Sequence, residues 1–246
     1  MNIPPASVLV TRPKKDAKLI AVDLKRRGVD VFLEPLLEVI AIEGVTPDLR
    51  NIAGLIFTSS NGVRAFAQIS KRRNFKVFAV GDATAASARR AGFSDVDNAG
   101  GSVEDLMTLV TDSWSPESGA LFHAASRTIS HKLAENLGAL GYEVHRLTLY
   151  EAKAADALSV NLCKVLRGGK LGYALFFSPR TADIFVSLVT SACLRDACKT
   201  VEAICLSTAV ADMFTGFNWR HVTVAAKPNQ ESLLIALDQR LAHIKS

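Results

Sequence analysis

A series of short turns in this chain carries residue types that bind anions. They read Thr11, Arg12, Pro13; Thr58, Ser59, Ser60, Asn61; Gly81, Asp82, Ala83, Thr84; Gly100, Gly101, Ser102; Ser126, Arg127, Thr128; Ser178, Pro179, Arg180; and Ser207, Thr208. Each follows a short apolar run and precedes a helical pattern. A hydroxyl at such a place can cap the next helix by accepting a backbone N–H. The same helix ends present unpaired N–H groups and the positive ends of peptide dipoles, where carboxylates bind well. One such turn alone reads as a cap. The whole series points to a large ligand with carboxylates spread around its rim. No strong nucleophile accompanies the turns, so a reaction here would rest on holding a reactive substrate in shape.

Other chemistries find no motif. There is no GxGxxG after a strand, no GxxxxGK[ST], no HExxH and no GxSxG, which argues against nucleotide loops, zinc proteases and nucleophile-elbow hydrolases. His123, His131, His145, His221 and His243 are scattered and read as structural or solvated. Asp82, beside Gly81, is the best-placed acid and reads as a cap. Cys163, Cys193, Cys198 and Cys205 form no CxxC pair and no zinc set. They read as reduced, mostly buried thiols of a cytoplasmic protein, with no metal expected. The formal net charge of +5 suits a small anionic ligand. The one basic block, Lys71, Arg72 and Arg73, reads as a solvated helix end, so no nucleic-acid partner is expected.

The elements that hold these turns follow from pattern. With 246 residues, 49% hydrophobic and 22% charged, the chain is one large or two small packed domains, not a disordered segment. No apolar run approaches a membrane span, and the first ten residues lack the basic and apolar stretches of a secretory signal. Residues 8–38 resemble 121–151, 54–66 resemble 173–185, and 77–93 resemble 201–217. Ser102, Glu104 and Leu106 match Asn229, Glu231 and Leu233. Matches in one order with slowly growing offsets predict a duplicated chain, with copies at about 1–118 and 119–246. The first copy predicts strands at 8–11, 30–33, 55–58, 76–80 and 95–98, with helices at 14–27, 61–70, 84–91 and 103–112. The second predicts strands at 121–123, 143–146, 173–177, 201–206 and 222–225. That alternation predicts an α/β fold of two lobes, each a parallel five-stranded sheet flanked by helices, flavodoxin-like or Rossmann-like.

Residues 34–42 and 144–152 stay apolar past the expected turn and occupy equivalent places in the copies. They read as two crossing strands joining the lobes. One lobe then holds 1–36 and 152–246, and the other holds 40–148. A simple tandem arrangement also fits. Ligands of open parallel sheets bind beyond the carboxyl ends of the strands, which is where the turns fall.

Several motifs, in this order and spacing, resemble the uroporphyrinogen-III synthase family over nearly the whole chain. They are VLVTRP at 8–13, IFTSSN at 56–61, VFAVGDATA at 77–85, LFFSPRTA at 175–182, AICLSTA at 203–209 and VAAKP at 224–228, with Tyr150 in the second crossing. The resemblance implies two α/β lobes joined by two crossings, an active site in the cleft, and no cofactor or metal. It implies the substrate hydroxymethylbilane, a linear tetrapyrrole with eight carboxylates. A lyase reaction through an azafulvene and a spiro intermediate would close it to uroporphyrinogen III, with inversion of ring D and loss of water, in heme biosynthesis. Without enzyme the bilane closes to the type I isomer.

Under that resemblance Tyr150 assists departure of the substrate hydroxyl. Ser59, Thr84, Ser178, Ser207 and Thr208 contact substrate carboxylates, and Arg12 and Arg180 either meet carboxylates directly or are surface charges. The expected protein is a cytoplasmic monomer that binds no nucleic acid or membrane. A transient contact with the preceding pathway enzyme is the one protein partner left open. The rival reading is a two-lobed small-anion binding or sensing module without catalysis.

Overall fold

The computed structural model describes residues 6–127 and 132–242. In chain order its elements begin with β1 (Ser7–Val10), α1 (Lys14–Arg26), β2 (Asp30–Leu33), β3 (Leu37–Ala41), β4 (Ile52–Phe57) and α2 (Ser60–Ile69). Next come β5 (Lys76–Ala79), α3 (Asp82–Arg90), β6 (Val96–Asn98), α4 (Val103–Ser113), β7 (Ala120–Ser126) and α5 (Lys132–Ala139). The last are β8 (Val144–Ala154), α6 (Val160–Arg167), β9 (Tyr173–Phe176), α7 (Pro179–Ser191), β10 (Glu202–Cys205), α8 (Thr208–Ala211), β11 (His221–Val224) and α9 (Gln230–Ala242). The first helix shows why they form. Ala17, Ile20, Ala21 and Leu24 recur at helical spacing and bury one face. Gly28, at φ +71°, then takes the left-handed conformation that ends the run.

The chain divides into two compact units, Met1–Glu38 with Lys153–Ser246, and Val39–Ala152. Among the described residues the first unit carries a five-stranded sheet in the order β11-β10-β9-β1-β2, parallel throughout. Successive residues of its strands serve opposite faces. Leu9, Ala174, Phe176, Ala203 and Cys205 pack into one apolar layer with α6 and α7. Val8, Val10, Tyr173, Leu175 and Ile204 pack into the other with α1 and α9. Phe176, Phe185, Phe214 and Trp219 form a ring cluster at centroid separations of 4.8–5.7 Å. Glu202, buried at the start of β10, is held by Arg240 of α9 through bonds of 2.7 and 3.1 Å.

The second unit's sheet runs β3-β8-β7-β4-β5-β6. Among the described residues it has six strands rather than the expected five, because residues 37–41 settle as an edge strand instead of only passing between lobes. β7 also runs to Ser126, and β8 covers eleven residues. Phe57, Phe66, Phe75, Phe93 and Phe122 fill one face. Ile56, Phe78, Leu121, Leu133 and Leu137 fill the other. Gly62 lets α2 lie against β7, since a Cβ there would stand 2.8 Å from the Ala124 carbonyl oxygen.

The Phe66 ring touches those of Phe57, Phe75, Phe93 and Phe122 at 5.7–6.2 Å. Phe66→Ala is expected to destabilise the chain by about 3–5 kcal/mol through the cavity it leaves. Phe66→Leu is expected to do much less harm. Urea unfolding of the two variants measures the difference.

Candidate active site

The order of strands fixes where each sheet opens. In the second unit the chain steps from β4 to β5 and β6 in one direction, and from β7 to β8 in the other. The reversal lies between β4 and β7, and binding crevices form at such switch points. Ser59 stands there, as the cap of α2, accepting the Gly62 N–H at 3.3 Å. Its Oγ also lies 2.7 Å from the Tyr150 hydroxyl.

Tyr150 reaches that point because β8 slips register against β7. Ala125 pairs with Thr148 but Ser126 pairs with Tyr150. The extra residue breaks the two-residue alternation, so the consecutive residues Leu149 and Tyr150 both join the Phe57 side of the core. The Arg127 N–H then holds the Tyr150 carbonyl at 2.9 Å. Burial raises the phenol pKa above its ordinary value, against the Ser59 hydrogen bond and the Arg64 charge, which lower it. The group therefore keeps its proton at neutral pH.

The next strand ends lie beside this pair. Gly81, not Asp82, caps α3. Asp82 is the first helical residue, exposed, and accepts the Asn98 amide at 2.6 Å. That overturns its reading as a cap, because the backbone turn comes one residue earlier, at the glycine. A Cβ on Gly81 would stand 3.3 Å from the Gly101 Cα, so the two glycine turns meet closely. Ser102 and Asp105 form a reciprocal capping box on α4. Thr84 sits in the first turn of α3, buried, and its hydroxyl makes no hydrogen bond among the described residues.

On the opposite face of the same sheet, Thr58 Oγ1 lies 3.4 Å from His123 Nε2. His123 is 2% exposed, and its Nδ1 has no hydrogen-bond partner among the described residues. Burial, and next the Arg146 charge, pull its pKa down to about 4. Arg146 itself donates to the Ser126 carbonyl at 3.0 Å and to Thr148 Oγ1 at 3.4 Å. The sequence signals only a lone histidine in a strand here.

In the first unit the reversal lies between β1 and β9. Arg12 follows β1. Its guanidinium lies over the Phe177 ring at 4.6 Å, bonds Gln230 Oε1 at 3.0 Å and faces Asp16 at 3.6 Å. Arg12 is therefore a held cation rather than a loose surface charge. Ser178 caps α7 by accepting the Thr181 N–H at 3.2 Å, and its Oγ lies 2.7 Å from Thr181 Oγ1. Arg180, one residue into the helix after Pro179, is exposed. Ser207 precedes the one-turn helix α8 without a side-chain cap bond, and Thr208 beside it is exposed. The structure thus joins Tyr150 to Ser59 directly and sets Arg12 and Ser178 at one switch point.

Among the described residues no group of three or more His, Cys, Asp or Glu could hold a metal ion, and no helix is long and apolar enough to cross a membrane. Cys198 and Cys205 are buried, Cys163 is half-buried and Cys193 is exposed. Thr128, His131 and His243 lie outside the described residues.

His123 sets a pH dependence. Its pKa falls from 6.5 to about 4 on folding. The unfolded chain therefore takes up a proton there first as pH drops through that window, and stability is lost. The His123 share is on the order of 3 kcal/mol. Urea unfolding near pH 7 and near pH 4.5 is expected to show a smaller loss for His123→Leu than for the wild type.

A family model described as uroporphyrinogen-III synthase HemD matches residues 18–235. A uroporphyrinogen-III synthase of Chlorobaculum parvum is 29% identical over 224 residues, covering 83% of this chain and 87% of that protein. A porphyrin biosynthesis protein HemD of Ruminiclostridium josui is 23% identical over 242 residues. That match takes in 92% of this chain and 47% of the relative, so the chain spans about half that protein's length. The crystal structure of uroporphyrinogen-III synthetase from Helicobacter pylori aligns at a TM-score of 0.63 and 18% identity, covering 95% of this chain and 99% of that one. A mutant uroporphyrinogen III synthase from Thermus thermophilus aligns at 0.56 and 16%, covering 96% and 99%. These structures share the two-lobed α/β fold. The family model takes in the strand ends that carry Ser59, Thr84, Ser178, Ser207 and Thr208, with Tyr150 inside β8, and on that match the chain belongs to the uroporphyrinogen-III synthase family.

Proposed function

We propose that this chain closes hydroxymethylbilane to uroporphyrinogen III, inverting ring D and releasing water, as a step of tetrapyrrole biosynthesis. The family match over residues 18–235 carries that reading. The substrate is reactive by itself and closes uninverted when left alone. The protein's work is therefore to choose which carbon of ring D attacks, a task of positioning.

Tyr150 serves the departing hydroxyl. Ser59 accepts the Gly62 N–H and lies 2.7 Å from the phenol. When Ser59 donates its own proton to the phenol oxygen, the phenol proton is left to point at substrate. Donation of that proton lets the substrate hydroxyl leave as water. The Ser59 bond and the Arg64 charge, both of which favour the ionised phenol, steady the oxygen that remains.

The carboxylates belong at the strand ends. Thr84 offers a hydroxyl with no bond to protein among the described residues. Arg12 offers a guanidinium already aligned by Phe177 and Gln230. Ser178, Arg180, Ser207 and Thr208 complete the set in the first unit. The overall charge of +5 favours capture of a polyanion.

Tyr150→Phe is expected to slow type III formation by roughly 10- to 100-fold. Its thermal stability is expected to fall by only about 1 kcal/mol, the share of one hydrogen bond. The assay supplies enzymatically generated hydroxymethylbilane, oxidises the products and separates the isomers by chromatography. An unchanged rate removes Tyr150 from the mechanism. Type I isomer alone from the wild-type chain overturns the synthase reading in favour of an anion-binding module.

A further inference from the structure

We propose that His123 is a positioning residue for this reaction. Through the Thr58 hydroxyl on one face of the sheet it fixes the backbone of Thr58 and Ser59, and through Ser59 the Tyr150 hydroxyl on the other face. The inference rests on the proposed function.

The faces of the strands carry the argument. Phe57, Phe122, Leu149 and Tyr150 belong to one apolar layer of the second unit. Ile56 and Leu121 belong to the other. Alternation along β4 and β7 sets Thr58 with Ile56, and His123 with Leu121. Thr58 and Ser59 are consecutive, so one peptide unit joins the His123 side to the Tyr150 side. The contact bridges β4 and β7, the two strands between which the sheet reverses direction. The imidazole is thus bonded across the switch point from beneath, 3.4 Å from Thr58, while Ser59 meets Tyr150 at 2.7 Å above.

The imidazole is an unfavourable choice for packing alone. Apart from Thr58 and Arg146, which pairs with it from β8, the layer on that face is apolar, built from Ile56, Leu121, Leu133 and Leu137. Its Nδ1 is buried with no hydrogen-bond partner among the described residues, a loss of about 1–3 kcal/mol that a leucine would not incur. What the imidazole supplies and a leucine lacks is the Thr58 contact.

Arg146 completes the arrangement from β8. Burial, and next the Arg146 charge, keep the neighbouring imidazole neutral, so Nε2 can either accept the Thr58 proton or donate its own, according to the tautomer. The same guanidinium holds the Ser126 carbonyl at 3.0 Å, and Ser126 is the residue opposite Tyr150. The backbone and the hydroxyl of Tyr150 are therefore both referred to the buried His123 and the half-buried Arg146.

The experiment uses the full chain with His123→Leu, His123→Gln, Thr58→Val and the His123→Leu/Thr58→Val double variant. It measures kcat, KM and the thermal midpoint beside the wild type, on enzymatically generated hydroxymethylbilane. His123→Leu is expected to lower kcat roughly 5- to 20-fold with KM little changed, while its midpoint at neutral pH holds or rises. Thr58→Val is expected to match that loss. The double variant is expected to be no slower than the slower single variant, because both remove one link. His123→Gln, which restores a donor and an acceptor, is expected to recover most of kcat. A kcat within about twofold of wild type in both single variants overturns the proposal, as do losses that multiply in the double variant. If His123→Leu fails to fold, Thr58→Val decides alone by the same threshold. A wild-type chain that makes only the type I isomer fails the proposed function first, and so is told apart from a failure of His123.

Discussion

A parallel sheet delivers the carboxyl ends of its strands to one edge, and the order of the strands decides where that edge opens. Every candidate contact in this chain depends on that constraint. Between β4 and β7 in one unit, and between β1 and β9 in the other, the chain turns away in opposite directions. The helices that follow leave from opposite faces and free their first N–H groups at the gap. Serines, threonines and an arginine stand at these gaps because the turn between strand and helix has few residues to place. The repeated pattern makes the chemistry repeat as well, so each unit offers a capping serine near its switch point, Ser59 in one and Ser178 in the other.

Tyr150 is the exception that breaks the symmetry. A phenol in the middle of an eleven-residue strand would ordinarily alternate with its neighbours and face away from the residue beside it. The slip between Ala125 and Ser126 places Leu149 and Tyr150 in the same layer. The hydroxyl then falls on Ser59 instead of on apolar rings. Burial and hydrogen bonding act in opposite senses on its acidity, and burial prevails. The result is a donor that keeps its proton until a developing oxyanion asks for it.

The α/β class and the alternation of strands and helices were legible because each element has a clean period and a clear stop, such as Gly28 after α1. The turns were legible because hydroxyls after apolar runs have few other uses. The sixth strand was not: residues 37–41 read as a passage between lobes, and an apolar run carries no residue type that separates a passage from an edge strand. The reach of β7 to Ser126 was hidden by Ala124 and Ala125, whose small side chains carry little strand signal. The register slip at Leu149 left no trace in residue types, because leucine and tyrosine suit a strand either way round. His123 read only as structural or solvated, and only the three-dimensional pairing of β4 with β7 brings it to Thr58. Asp82 was misread by one residue, since glycine caps through backbone geometry and leaves no side chain to recognise.

Capping and ligand contact have so far stood as rival readings of the same hydroxyls, but the geometry makes them compatible. A serine that caps a helix accepts the backbone N–H with its oxygen and keeps its own proton. Acceptance from inside the helix turns that proton outward, away from the dipole, toward whatever lies beyond the strand end. Ser59 directs its oxygen at Gly62 and meets Tyr150 with the remaining valence. Ser178 directs its oxygen at Thr181 N–H and shares a second bond with the Thr181 hydroxyl. An O–H oriented in this way is fixed on its acceptor before the ligand arrives; at Ser59 that acceptor is the phenol oxygen, which leaves the phenol's own proton for the ligand. Thr84 reaches the same end differently, as a buried side chain whose hydroxyl makes no hydrogen bond among the described residues. Folding and binding therefore draw on one set of atoms, and a substitution at Ser59 disturbs both, whereas one at Thr84 leaves the cap of its helix to Gly81.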